Sequence, residues 1–132
     1  MPLRYTIAVA LYCFLIFTVS SNPAPPVPDL RFEHSDKLIH AAAFGVLALL
    51  VSLGMRVSDH LYSPRRQFWV PVLFVAVYGG VDEFHQYFVP RRQCDFMDWL
   101  ADVSGALAVQ VVLCWGWWRL RPWEGPPAYS KL

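Results

Sequence analysis

The 132-residue sequence has little charge and many apolar residues. Only 16% of its residues are charged and 56% are hydrophobic, whereas soluble domains average about 25% charged residues. The formal net charge is +1, and no basic run is longer than two residues. Nucleic acid is therefore excluded as a partner on electrostatic grounds. We predict a membrane protein whose first partner is the lipid bilayer.

Cysteine patterns and short catalytic motifs are also lacking. The three cysteines, Cys13, Cys94 and Cys114, do not form the C-x-x-C spacing of zinc sites. No G-x-S-x-G, H-E-x-x-H or P-loop pattern occurs in the sequence. No local motif therefore indicates a serine hydrolase, a zinc protease or a P-loop nucleotide-binding protein.

Four apolar stretches dominate the sequence, at approximately residues 5–19, 38–53, 68–88 and 99–118. A bilayer core requires about 20 helical residues, so the third and fourth stretches are comfortable spans and the first two are short. Open sheet edges cannot face lipid, so we predict an all-α membrane protein with about four transmembrane helices in a small bundle. Pro71 is expected in the first turn of the third span.

The four stretches form one predicted transmembrane helical domain over residues 1–120. Residues 121–132 are polar and rich in proline, which predicts a disordered tail. The first stretch has an alternative interpretation as a cleaved secretory signal, because Arg4 precedes the apolar run and small residues follow it. We favour a retained helix.

The basic residues indicate the orientation of this four-span arrangement. More of them lie on the side of the two termini, so the positive-inside rule predicts that both termini are cytoplasmic. The seven on that side are Arg4, Arg56, Arg65, Arg66, Arg119, Arg121 and Lys131. The four on the other side are Arg31, Lys37, Arg91 and Arg92.

Each of the last three predicted helices carries polar residues along one face at its outer end. Ionised groups at membrane depth cost at least about 2.5 kcal/mol each, so these faces should turn toward one another or toward a watery cavity. We therefore predict an outward-facing polar and acidic pocket between the second, third and fourth helices. The faces are formed by Asp36, His40, Phe44 and Leu47; by Gly79, Asp82, Glu83 and Gln86; and by Asp95, Asp98, Asp102 and Gly105.

Crowded carboxylates in such a pocket either share protons or recruit a cation. Six carboxylates face three cationic side chains, Lys37, Arg91 and Arg92, which leaves a local charge near minus three. A divalent metal ion is one candidate cofactor, and the catalytic residues remain unassigned. The metal-ligand candidates are His40, Glu83, Asp95 and Asp98.

A structural interpretation of the same residues stays open. Asp36 and Asp95 lie at helix starts and would serve as N-terminal caps. Arg92 with Asp95 or Asp98, and Lys37 with Glu83, would form ion pairs that hold the helices together.

Three motifs in this order resemble the VanZ-like family of small bacterial membrane proteins. They are D-K-x-x-H, then D-E-F-H-Q, and then P-x-R followed by D-x-x-D-x-x-A-D and a glycine. The family often has glycine where this chain has Arg91, and asparagine where it has Asp102. The matching positions, within residues 35–109, are Asp36, Lys37, His40, Glu83, Gln86, Pro90, Arg92, Asp95, Asp98, Asp102 and Gly105.

The resemblance implies a location in the bacterial plasma membrane and a link to antibiotic resistance. The founding member is associated with low-level resistance to teicoplanin, a lipid-tailed glycopeptide that acts at the outer leaflet. Three functions are compatible with it: a protein whose pocket engages envelope lipids or glycopeptides, a membrane-embedded metal-dependent enzyme acting on a lipid-linked substrate, and a structural or accessory partner of an envelope complex. Because four short helices form a thin bundle, we also expect an oligomer or a membrane protein partner.

Overall fold

The computed structural model describes residues 1–24, 35–58 and 62–120, and the side chains of the last helix as far as residue 116. Over these residues the chain forms helices and no strands. The helices are α1 (Leu3–Ser20), α2 (Ser35–Arg56), α3 (Pro64–Gln86) and α4 (Phe96–Leu120). The all-α prediction is thereby confirmed. Arg31 and the tail at residues 121–132 lie outside the described part.

Helices α1, α2 and α4 are each long and apolar enough to cross a bilayer. The 22 residues of α2 extend about 33 Å at 1.5 Å per residue. The prediction of a short second span was therefore wrong, because the polar residues before Leu38 form the first turn of the helix. The third stretch was predicted to be a comfortable span, but α3 is not among the described helices that are apolar enough to cross a bilayer. Its 23 residues include charged residues at both ends, which lower its mean hydropathy.

The start of α3 lies upstream of the predicted one. Ser63 caps the helix by accepting a hydrogen bond from the Arg66 backbone N–H at 3.4 Å, and Pro64 occupies the first helical position. This cap adds about one turn before the apolar stretch. Pro71 consequently lies inside the helix and not in its first turn, which corrects the sequence-based placement.

Helix α2 lies at the centre of the bundle and packs against the other three helices. Its side chains Phe44, Leu47 and Ala48 are buried with Val75 of α3. Helices α2 and α4 make the closest approach, since a methyl group at Gly105 of α4 would overlap the Ala41 carbonyl of α2. The missing side chain thus allows the two backbones to pack closely at the polar end of the bundle.

Helix α1 packs along α2 and touches α3. The Tyr12 hydroxyl donates a hydrogen bond to the Ala43 carbonyl at 3.1 Å, and the Tyr78 hydroxyl donates one to the Cys13 carbonyl at 2.6 Å. Most of the α1 surface is exposed and apolar, as expected of a helix facing lipid. One end of the bundle therefore gathers the end of α1, the start of α2, the end of α3 and the start of α4.

Candidate functional site

Lys37 joins the start of α2 to the start of α4. Its Nζ lies 2.5 Å from Asp98 Oδ1, 2.8 Å from Asp95 Oδ2 and 3.1 Å from Asp36 Oδ2. The sequence had suggested a pair between Lys37 and Glu83, but the lysine faces the α4 carboxylates instead. One ammonium thus contacts carboxylates at the starts of both α2 and α4, two helices that are distant in the sequence.

Asp95 connects three elements of the site. Its Oδ1 accepts the Met97 backbone N–H at 2.8 Å, as a helix cap does, and its own backbone N–H donates to Glu83 Oε2 at 2.9 Å. The hydrogen bond from the Lys37 ammonium holds the pKa of the Asp95 carboxyl below its ordinary value. Asp95 therefore ties the start of α4 to both α2 and α3.

His40 and Asp102 form a pair one helical turn further into the bundle. His40 Nδ1 lies 3.0 Å from Asp102 Oδ1, and His40 Nε2 lies 3.9 Å from Asp98 Oδ2. Asp102 is fully buried, and a methyl group at Gly79 would press on its carboxyl. The Nδ1 contact orients the imidazole so that Nε2 is directed toward the Asp98 carboxylate.

Gln86 donates a hydrogen bond to each of the two buried carboxyls of α3. Its Nε2 donates to Asp82 Oδ2 and to Glu83 Oε1, each at 3.1 Å. All three side chains are buried. Asp82 Oδ1 and Asp102 Oδ2 are buried without a hydrogen-bond partner among the described residues. The end of α3 is thus a polar network with an unused acceptor on Asp82.

Three of the four metal-ligand candidates come together. Ligand atoms of His40, Glu83 and Asp98 all lie within 4.8 Å of one another, whereas Asp95 is not part of this group. The contact between His40 Nδ1 and Asp102 is the outer-shell arrangement common for metal-bound histidines. One nitrogen and two carboxylate ligands suit a borderline divalent ion. The Lys37 ammonium on Asp98 Oδ1 would compete for part of that charge.

A cavity of about 250 Å³ adjoins this network between α1, α2 and α3. On one side it is lined by the α1 residues Leu15, Ile16 and Val19. The opposite side includes Asp82 and Arg92, together with Asp36, His40 and Gln86. Arg92 lies in the turn after α3, and its buried Nε has no hydrogen-bond partner in the described part of the chain. The α1 wall of the cavity is therefore mainly apolar, with Tyr12 and Ser20 as its polar side chains, whereas the opposite wall carries the charged groups.

The sequence did not reveal the contribution of α1. Its residues are apolar on every side, so no periodicity distinguishes the face that lines the cavity. The ion pairs suggested for Arg92 with Asp95 or Asp98 do not form, since those aspartates face Lys37. His85 of α3 packs on the Phe17 ring of α1 with a centroid separation of 4.6 Å.

Comparison with known proteins gives one family match. A family model described as VanZ/LLP1 matches residues 5–118 of the 132-residue chain, which include all of α2 and α3 and all but two residues of α1 and of α4. No curated protein and no solved structure matches.

Proposed function

The chain belongs to the VanZ/LLP1 family of membrane proteins, and we propose that it binds an envelope amphiphile in the cavity between α1, α2 and α3. The ligand is an envelope lipid, a lipid-linked precursor or a lipid-tailed glycopeptide. In this proposal the protein spans the bacterial plasma membrane with cytoplasmic termini, and the cavity opens at the outer face. Asp36, Lys37, His40, Glu83, Gln86, Arg92, Asp95, Asp98 and Asp102 form or support its polar wall.

The single observation that supports this proposal best is the contrast between the two cavity walls. An amphiphile has a polar head and an apolar chain, and the cavity offers Arg92 and Asp82 opposite Leu15 and Ile16. The volume of about 250 Å³ lies just below the roughly 300–1,000 Å³ of small-molecule sites. It suits a head group, while the chains would continue along the exposed apolar surface of α1.

Lipid content of the purified protein tests the proposal. The protein is purified in mild detergent, and the amphiphiles that remain bound are extracted and quantified by mass spectrometry. Leu15→Trp should reduce their amount severalfold, because Leu15 lines the cavity. Leu11→Trp is the matched control one turn away on the same helix, where the side chain is also exposed but does not line the cavity. Equal amphiphile content in wild type and both variants would contradict the proposal.

A metal-dependent enzyme acting on a lipid-linked substrate is the second candidate function. It is supported by the approach of His40, Glu83 and Asp98 beside the cavity. A bound divalent ion would polarise a phosphoryl or carbonyl oxygen of the substrate. This candidate predicts a near-stoichiometric ion that is lost in a Glu83→Ala, Asp98→Ala double variant and retained in Asp95→Ala. It also predicts turnover of a lipid-linked substrate, whereas a binding protein saturates.

A structural or accessory role is the third candidate, and the contacts of Lys37 with three carboxylates support it. This role predicts that Glu83→Gln and Asp98→Asn abolish function only when they also unfold the protein. Melting curves measured beside the functional test separate the two effects.

A link to antibiotic resistance belongs to the same proposal. If a lipid-tailed glycopeptide occupies the cavity, expression in a susceptible strain should raise the inhibitory concentration of teicoplanin. The Leu15→Trp variant should lose that effect while Leu11→Trp keeps it. An equal inhibitory concentration with and without the wild-type protein would remove drug resistance from the proposal and leave lipid binding to be judged by lipid content.

A further inference from the structure

We infer that the head group bound in the cavity is zwitterionic, with a phosphate next to a primary ammonium, as in ethanolamine phospholipids. This inference rests on the proposed function and specifies its ligand. Three residues that line the cavity each have a buried polar atom without a partner within the described residues: Arg92 Nε, Asp82 Oδ1 and the Ser20 hydroxyl oxygen. The hydroxyl can donate or accept, so the inference is carried by the other two, one donor and one acceptor.

The donor belongs to Arg92. Its Nε is buried and makes no hydrogen bond to any described residue, and its side chain lines the cavity. A guanidinium stays charged at all physiological pH values and offers a planar set of N–H donors. A buried donor of this kind needs an oxygen acceptor, and phosphate matches the fork of an arginine. Arg92 therefore selects an anionic oxygen on the ligand.

The acceptor belongs to Asp82, a side chain that is only 4% exposed. Its Oδ2 accepts a hydrogen bond from Gln86 at 3.1 Å, whereas its Oδ1 is buried without a partner among the described residues. A carboxylate oxygen removed from water requires an N–H or O–H donor, and an ammonium also supplies the matching charge. Asp82 therefore selects a cationic donor on the ligand.

The charge of the whole cluster explains why both groups must reside on one ligand. Carboxylates outnumber cations around the cavity, so a head group with negative charge alone would meet repulsion from Asp36, Asp82 and their neighbours. A quaternary ammonium carries positive charge but has no N–H to donate to Asp82 Oδ1. A primary ammonium next to a phosphate satisfies Asp82 and Arg92 together and adds no net charge.

Native mass spectrometry tests the head-group preference. Delipidated full-length protein in detergent is titrated with dioleoyl phosphatidylethanolamine, phosphatidylcholine and phosphatidylglycerol. We expect the ethanolamine lipid to bind at least about tenfold more tightly than the other two, which corresponds to about 1.4 kcal/mol. Phosphoethanolamine without chains should compete far more weakly, because it lacks the apolar part that contacts α1. If it competes as well as the lipid, the lipid is the wrong occupant.

Variants assign the preference to the two residues. Arg92→Gln should weaken binding of the ethanolamine lipid about tenfold, whereas Arg91→Gln, which changes a neighbouring arginine that does not line the cavity, should leave it unchanged. Asp82→Asn should remove the preference for ethanolamine over choline. Melting temperatures establish that each variant is folded, and the lipid preference of the wild-type protein decides the question even where a variant fails to fold.

The outcomes separate the two levels of the proposal. Equal affinity for the three lipids, with binding lost in Leu15→Trp, would overturn the zwitterionic head group and leave amphiphile binding intact. No saturable binding of any lipid would overturn both. A preference for the anionic lipid would also overturn the inference, because it would show that Asp82 does not require a cationic partner.

Discussion

Removing the Lys37 ammonium should destabilise the polar end of the bundle more than removing any one exposed carboxylate. In Lys37→Met the apolar stem of the side chain is retained and the charge is lost. Asp98 and Asp95 then face each other without the cation that lies 2.5 Å and 2.8 Å from them. Because Lys37 connects α2 with α4, its loss weakens the contact between the starts of these two helices.

The solvent exposure of the two side chains determines how much stability Lys37→Met should lose. The Asp98 side chain is 13% exposed and the Lys37 side chain 23% exposed. Breaking a buried pair costs about 3–5 kcal/mol and losing an exposed pair about 0–1 kcal/mol, so we expect about 2–3 kcal/mol for Lys37→Met. For a chain of this length about 1 kcal/mol shifts the melting temperature by roughly 4 °C, which gives a decrease of about 10 °C.

Thermal unfolding in one detergent, followed by circular dichroism, measures this decrease. Asp36→Asn is the matched control, because it removes the charge of another partner of Lys37. The Asp36 side chain is 61% exposed, so this change should cost less than about 1 kcal/mol. Combining Lys37→Met with Asp98→Asn should recover at least half of the loss, because both charges are then absent. Equal melting temperatures of Lys37→Met and Asp36→Asn would contradict the predicted role of the Lys37 ammonium.

Three further predictions concern backbone packing, a turn and pH. Gly105→Ala should lower stability by about 1–3 kcal/mol, because its methyl group meets the Ala41 backbone, whereas Gly116→Ala has open space and should be neutral or slightly stabilising in the same melting experiment. Arg91 has a φ of 66°, a left-handed conformation that is strained for residues other than glycine. Arg91→Gly should therefore be neutral or stabilising, whereas Arg91→Val should cost about 1–2 kcal/mol. Equal melting temperatures of the two variants would contradict backbone strain at this position. The Asp95 carboxyl has a depressed pKa, so its stabilising contribution is present above the ordinary aspartate pKa and is lost as the pH falls through the lower, folded-state pKa. The difference in melting temperature between wild type and Asp95→Asn should therefore shrink from pH 7 to pH 3, and a constant difference would refute this assignment.

The sequence was sufficient to predict the helices and the grouping of polar residues. Apolar length predicted four helical segments, and a period of 3.6 placed His40 on the same side of α2 as Asp36. Hydropathy alone underestimated α2 and α3, because capping and polar first turns extend a helix beyond its apolar stretch. The positive φ of Arg91 also gives a physical reason for the glycine that the family often has there.

The partners within the cluster could not be predicted from the sequence. Periodicity predicts which side chains share one face of a helix, but not which residues of a neighbouring helix lie level with them. Lys37 was therefore assigned to Glu83, although it contacts Asp98 and Asp95. The relative position of α2 and α4 along the bundle depends on their close packing at Gly105. The apolar wall of the cavity could not be predicted from the sequence either. Only the packing of α1 against the other helices shows that Ile16 lines the cavity, because the sequence does not distinguish it from the other apolar residues of that helix.

Photo-crosslinking in intact membranes tests most directly whether the cavity holds an amphiphile. A small diazirine amino acid is introduced at Ile16, which lines the cavity, and separately at Val9, which does not. Both positions are 9% exposed, so bulk lipid has equal access to them. We predict that irradiation attaches a lipid to residue 16 and not to residue 9, as read by mass spectrometry of the purified protein. Equal labelling at the two positions, or none at residue 16, would contradict the proposed function.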